Sequence, residues 1–418
     1  MPTHPLIRSL LDLRGNARAC VYTEPLWGIP FNLYGPYISV YMLALGVTDA
    51  QIGLIASIGF FFQVVTALLS GVITDKLGRK RTTLIFDILS WSVPTLIWAF
   101  SQNFMYFVIA AVINSMWRVT MNSWTCLMVE DAEPVMLVDM YAWVYISGQM
   151  AVFFAPIAGI LINQFSLVPT MRGLYLLAFF LMTTKFILLN AVVKETKVGR
   201  ERMEESKQQS WFSVLNGYPR VLRQILRTPA TLYTLGIMLA TSITSMIGTN
   251  FWAIIVTQKL HIPESDLAYY PFARSVLIML FFFVVQPRIK EMHFKLPMIA
   301  GFGCYLLSYS LLVILPEKSY WLLLVSVLLE ASGFAMVGPL LDKMVVVTVN
   351  PQERARILSI LYVVVIVLTS PFGWIAGTLS SVNRVLPFFL CMVIFITGAL
   401  LTWRAAKVSE NVEVSAAL

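Results

Sequence analysis

The stretch Gly71-Val72-Ile73-Thr74-Asp75-Lys76-Leu77-Gly78-Arg79-Lys80-Arg81-Thr82 decides how the rest of the chain is read. It sets one acid, four bases and two glycines between two apolar runs, 50–73 and 82–101. Gly71 lets two helices approach closely. Gly78 permits a tight reversal. Asp75 can accept bonds from a neighbouring helix N-terminus, where the dipole is positive. A short basic loop between two apolar runs fits a hairpin of membrane-crossing helices.

The whole chain agrees with that reading. Of its 418 residues, 58% are hydrophobic and only 12% charged, with a mean hydropathy of +0.77. An ordinary soluble domain carries about 25% charged residues. Soluble domains, secreted disulfide scaffolds, coiled coils and disordered chains are excluded together. A span needs roughly 20 apolar residues. Twelve such runs are expected: 21–45, 50–73, 82–101, 105–129, 136–163, 172–194, 229–257, 264–287, 296–316, 320–342, 355–381 and 384–406. They are too long and too apolar for β-barrel strands, so the predicted class is an all-α membrane protein. The first run is too long for a cleavable signal peptide, and Arg8, Arg14 and Arg18 precede it.

Basic residues set the orientation. With the N-terminus in the cytoplasm, only Arg172, Lys259, Lys318 and Arg384 fall outside, and Arg118, Lys185 and Arg274 lie within spans. All other Lys and Arg are then cytoplasmic, as are both termini. The formal charge of +8 is spread over many short loops, so it marks topology and not a nucleic-acid footprint.

The longest polar stretch divides the runs six and six. The predicted organisation is a bundle over 1–194, a cytoplasmic linker over 195–228 and a bundle over 229–418. Glu195 to Gln209 is expected to be a flexible charged segment. Leu215, Tyr218, Leu222, Ile225 and Leu226, with Arg220, Arg223 and Arg227 among them, follow the spacing of an interfacial helix. Leu6, Ile7, Leu10 and Leu11 suggest a second one. A shift of 215 residues sets Leu45-Gly46-Val47-Thr48-Asp49 on Leu260-His261-Ile262-Pro263-Glu264, and Ala155-Pro156 on Ser370-Pro371. Two related six-helix bundles rocking about a midplane site are a transporter architecture.

The loop 71–82 fills every fixed position of G-x-x-x-D-[RK]-x-G-[RK]-[RK]. It resembles the signature loop of the major facilitator superfamily, and the resemblance extends over nearly the whole chain. It implies two pseudo-symmetric six-helix bundles that work by alternating access. It also implies a cytoplasmic gate built from Gly71, Asp75, Gly78, Arg79, Glu130 and Asp131. There Asp75 faces Arg354 to Ile357, and Arg79 pairs with Glu130 or Asp131. The loop Gln286 to Glu291 of the second half lacks the pattern. Ala151 to Ile160 resembles a weakened antiporter signature, which leans toward export.

Charges inside spans point to function, since each costs about 2.5–3.5 kcal/mol on insertion scales. Asn114, Arg118 and Asn122 are spaced four apart and are expected to share one face lining a polar cavity. Glu330, midway along its run, is the candidate proton carrier. Arg274 lies in the outer third of its run, and Lys185 is expected to snorkel toward the inner surface. Glu24 and Asp87 are expected to pair structurally. Asn32, Gln149 and Asn250 complete the candidate path. His4, His261 and His293 lie outside the runs, and no Glu-x-x-His, Gly-x-Ser-x-Gly or pore-filter repeat appears. The expectation is a monomeric, cofactor-free, metal-free transporter of a small organic solute in the plasma membrane. Its partners are the lipid bilayer, the solute and protons, with uniport or lipid flipping as alternatives.

Overall fold

In lipid, an apolar run of this length satisfies its backbone groups by coiling into a helix. The structure, a computed structural model, describes residues 5–133, 136–206, 228–284, 294–347 and 354–417. No strand occurs among the described residues. Ten helices among them are long and apolar enough to cross a membrane. The chain divides into two units. The first comprises Met1–Val47 and Ile58–Leu215, and the second Thr48–Ser57 and Asn216–Leu418.

The first unit begins with α1 (Pro5–Asp12), α2 (Gly15–Thr23), α3 (Pro25–Tyr34) and α4 (Ile38–Ala44). The predicted run 21–45 is thus cut into pieces. Pro25 starts α3, Pro30 lies inside it, and Gly35-Pro36 forms a 3₁₀ turn before α4. Proline removes a helical donor and crowds the preceding turn, which accounts for the breaks. The long helix α5 (Asp49–Leu77) then leads to α6 (Arg79–Asp87), which continues through a π-helical turn, Ile88–Ser92, into α7 (Val93–Ala99). The return is α8 (Phe104–Asn114) and α9 (Trp117–Val129). Next come α10 (Leu137–Val152), α11 (Ala155–Phe165) and α12 (Leu167–Val192). Between helices in lipid the drive is close packing and not exclusion of water. The rings of Tyr34, Tyr41, Trp98 and Tyr175 supply it, with Tyr175 4.9 Å from Tyr34 and 5.6 Å from both Tyr41 and Trp98.

The expected flexible segment after 194 is a helix at its start, α13 (Lys197–Glu205), capped by Thr196 through a 2.8 Å bond from the Gly199 amide. The expected interfacial helix over 215–226 lies outside the described residues, as does the loop 286–291.

The second unit contains α14 (Pro229–Gln258), α15 (Tyr269–Val284), α16 (Lys295–Ile314), α17 (Tyr320–Val347), α18 (Arg354–Val382) and α19 (Leu386–Ala417). Of the run 264–287, the structure describes a 3₁₀ turn (Glu264–Asp266) and α15. α16 and α17 meet at Gly301 and Gly333, where either added Cβ would press on the other glycine's carbonyl. Ser308 and Ser326 exchange bonds across the same pair at 2.7 and 2.8 Å. Residues 48–57, assigned by sequence to the first bundle, belong here. Gly53 lies against Gly373 and Gly377. Ser57 Oγ donates to the Ser370 carbonyl at 2.6 Å and accepts from the Trp374 amide at 2.7 Å. Ser380 Oγ donates to Asp49 Oδ2 at 2.6 Å.

Candidate functional site: the signature loop and the charges within the spans

The reversal between α5 and α6 turns on Gly78, whose φ of +82° is the left-handed region that glycine enters freely. Arg79, the first residue of α6, is 4% exposed. Its Nε lies 3.1 Å from both Glu130 oxygens, Nη2 lies 3.0 Å from Glu130 Oε1, and Nη1 lies 2.9 Å from Asp75 Oδ1. The planar guanidinium thus joins the ends of α5 and α9 with a fork that lysine cannot reproduce.

Asp75 was expected to cap a neighbouring helix. Within this unit its carboxylate turns back to Arg79, and Glu195 takes the capping role. The Glu195 oxygens accept from the Arg79 and Lys80 amides at 2.9 and 3.0 Å, covering two orphan donors at the start of α6. Thr196 Oγ1 donates to Glu130 Oε2 at 2.5 Å, and Ser206 Oγ donates to the Asp75 carbonyl at 3.1 Å. Asp131 accepts from the Lys197 amide at 3.3 Å, so it anchors α13. Gly71 is exposed, and a Cβ there would meet nothing within 4 Å among the described residues. The side chains of Arg354 to Arg356 lie outside the described ones.

Asn114, Arg118 and Asn122 do not share a face. A turn at Ser115–Met116 separates α8 from α9 and breaks the helical phase. Asn114 Nδ2 donates to the Ser90 carbonyl in the π turn at 2.7 Å. Arg118 and Asn122 face α5, where Arg118 Nε bonds Gln63 Oε1 at 3.0 Å and Asn122 Nδ2 bonds Thr74 Oγ1 at 3.3 Å. The Arg118 guanidinium also stands over the Trp117 ring at 4.1 Å. Asn32 and Asn250 each donate to a carbonyl of their own helix, at Gly28 and Met246, both at 2.8 Å. Gln149 is half-buried on α10.

In the second unit Arg274 on α15 grips Glu330 on α17 with two bonds, Nε to Oε2 at 2.6 Å and Nη2 to Oε1 at 3.2 Å. Their side chains are 34% and 23% exposed, and the guanidinium lies 4.8 Å from the Phe334 ring centre. This is a half-buried, bidentate pair. Lys185 does not snorkel. It is 4% exposed, and its Nζ donates to Glu24 Oε2 at 2.8 Å. A residue two turns from a helix end reaches the interface only if its path is clear, and here the rings of Trp27, Trp124 and Phe186 close around it.

Comparison with known proteins agrees with this architecture. The family model described as Major Facilitator Superfamily matches residues 27–365, and the chain belongs to that family. A segment is similar to the quinolone resistance protein NorA of Staphylococcus aureus, 32% identical over 81 residues. That segment is 19% of this chain, so the match spans only about a fifth (21%) of NorA's length. Among solved structures, the chain is similar to the nucleoside transporter NupG, with a TM-score of 0.69 at 14% identity, covering 94% of this chain and 99% of that one. It is also similar to the human organic anion transporter MFSD10, with a TM-score of 0.63 at 14% identity over 96% and 100% of the two chains. At such identities the likeness concerns the fold. The chain is a multi-span member of this superfamily.

Proposed function

We propose that the protein moves a small organic solute across the plasma membrane by alternating access of two pseudo-symmetric six-helix bundles, twelve spans in all, with both termini cytoplasmic. Transport is coupled to protons and runs outward. The observation that carries the reading is the Arg274–Glu330 pair, two charges held within the spans by each other. Opposite charges so placed are costly unless they serve a path. Arg274 grips both oxygens of Glu330, so a proton or an anionic solute group reaches either partner only when the pair opens. Arg118, bonded to the neutral Gln63, offers a second cation whose charge no acid cancels in that contact. Together they suit a solute with an anionic or zwitterionic group. The short likeness to NorA, named for quinolone resistance, supports the outward direction. The Arg79–Asp75–Glu130 cluster acts as the gate on the cytoplasmic side.

Reconstitution of the full chain in liposomes tests this, with a fluorescent quinolone as the first probe. A proton gradient should drive accumulation, and Glu330→Gln should abolish accumulation while keeping downhill exchange. Exchange that ignores the gradient in the unmodified protein would overturn proton coupling and leave a uniporter. Rates equal to those of empty liposomes, for the quinolone and for a panel of organic anions and zwitterions, would overturn the solute class.

A further inference from the structure

The buried charges around Lys185 in the first unit take no part in that reading. Asp87, at the end of α6, is 5% exposed, and Thr120 Oγ1 on α9 donates to its Oδ1 at 2.7 Å. It lies within electrostatic reach of Lys185 on α12 and of Glu24 at the α2–α3 junction. Lys185 Nζ in turn bonds Glu24 Oε2 at 2.8 Å. Among the described residues, Cys20 on α2 also faces these three, and the half-buried Lys80 shares a crevice with Asp87. Rings surround the ammonium, with Trp27 at 5.9 Å and Trp124 at 5.7 Å, and neither buried indole N–H has a hydrogen-bond partner among the described residues.

Two carboxyls therefore face one ammonium in a dry, aromatic setting. With Cys20 as a thiol, full ionisation leaves one negative charge unmatched. An unmatched charge in such a place is neutralised more readily than it is tolerated. Releasing the lysine proton would make the imbalance worse. One added proton on a carboxyl balances the site.

We infer that Asp87, Glu24 and Lys185 form a proton-binding site of the first unit, in which the two carboxyls hold one dissociable proton against the lysine. The site is separate from Glu330, whose two oxygens are already taken by Arg274. Asp87 lines a narrow crevice together with Lys80, Leu127, Phe186 and Asn190. That crevice has no room for a water molecule. A hydronium ion can deliver its proton to the carboxylate, leaving water behind, only when α6, α9 and α12 part. Arg79 and Asp87 lie at the two ends of α6. Movement of the signature loop and opening of the proton site are thus movements of one helix. That the bound proton drives a solute rests on the proton-coupled reading above, whereas the binding of the proton does not.

The experiment is infrared difference spectroscopy of the purified full chain in liposomes, titrated with acid and with no solute present. The expected result is a protonated-carboxyl band that appears reversibly with pH and is lost in both Asp87→Asn and Glu24→Gln. Should either variant fail to fold, Thr120→Val is the second probe. It keeps both acids and removes one donor, so it should shift the pH at which the band appears without abolishing it. A band absent from the unmodified protein at every pH, or unchanged in all folded variants, would overturn the site. If the band is present but solute exchange by the unmodified protein ignores an imposed gradient, the site stands and proton coupling fails.

Discussion

At the scale of single residues, the Arg79 cluster separates stability from function. Glu130 is 14% exposed as a side chain and Asp75 is 40% exposed, yet both are held by one guanidinium. Breaking a buried pair costs roughly 3–5 kcal/mol, because the surviving charge is left unpaired. A pair open to water is worth about 1 kcal/mol or less. Glu130→Gln should therefore lower the thermal midpoint of the purified protein well below that of Asp75→Asn, which should stay folded and insert normally. Asp75→Asn should nonetheless slow transport strongly in vesicles, because the gate loses a contact. Normal rates in that variant would remove Asp75 from the mechanism. Gly78→Ala adds a left-handed penalty of about 1–2 kcal/mol, and its methyl would press on Glu195 and Met203. It should destabilise more than Asp75→Asn, read by the same melting assay.

The pattern of the loop made Asp75, Gly78 and Arg79 legible, and the acids at the end of the fourth apolar run came with them. Glu195 was not legible. Its carboxylate meets the Arg79 amide across 116 residues of chain, and no local spacing encodes such a return. Thr196, an N-cap residue ahead of a charged segment, was the available hint that α13 begins there. The buried triad escaped for a related reason. Lys185 reads as a snorkelling lysine until three helices supply the rings that enclose it.

At the scale of elements, the internal repeat shows what sequence pattern carries and what it does not. Positions 46 and 261, matched by the 215-residue shift, are both left-handed, with Gly46 at φ +79° and His261 at φ +51°. The residue that follows each, Val47 and Ile262, is buried. The prolines of the same shift behave differently. Pro156 lies at the start of α11, just after a break from α10, whereas Pro371 lies inside the unbroken α18. Proline position alone does not fix a break. Next to Pro371, Ser57 bonds the Ser370 carbonyl and the Trp374 amide. Likewise the i, i+4, i+8 spacing of Asn114, Arg118 and Asn122 presumes a continuous helix. Thr66 Oγ1 instead takes up the Ser115 carbonyl at 2.8 Å where the helix turns. The matched turns give a prediction. His261 is an L-residue where its counterpart is glycine, and its contact with Glu317 is an exposed one at 3.7 Å. Relieving the left-handed strain should outweigh loss of that contact. His261→Gly should stabilise the protein by about 1 kcal/mol, read as a small rise in melting temperature. A fall would mean that the imidazole bond to the Lys259 carbonyl, at 3.1 Å, matters more than the backbone.

At the scale of the whole molecule, the orientation rests on charge asymmetry among the loops. Lys and Arg are retained on the cytoplasmic side during insertion, and short loops obey this bias most closely. The segment around Glu201 lies in the long linker 194–227, which carries eight of the chain's Lys and Arg, while Glu317 lies in a short loop with the single base Lys318. Both positions are exposed, Glu317 with 70% of its side chain accessible. Cys20 and Cys391 are buried, and labelling of the unmodified chain sets the background. In intact cells, a membrane-impermeant maleimide should label a single cysteine introduced as Glu317→Cys. It should leave Glu201→Cys unlabelled until the cells are opened. Labelling of both in opened cells is the internal control for folding and access. The reverse pattern would invert the topology and place Arg79 and its gate outside. In a proton antiporter the gradient and the sign of coupling set the direction of flow, whichever way the carrier is inserted. The labelling pattern therefore decides on which side the gate lies, and the gradient assay in liposomes decides the direction of transport.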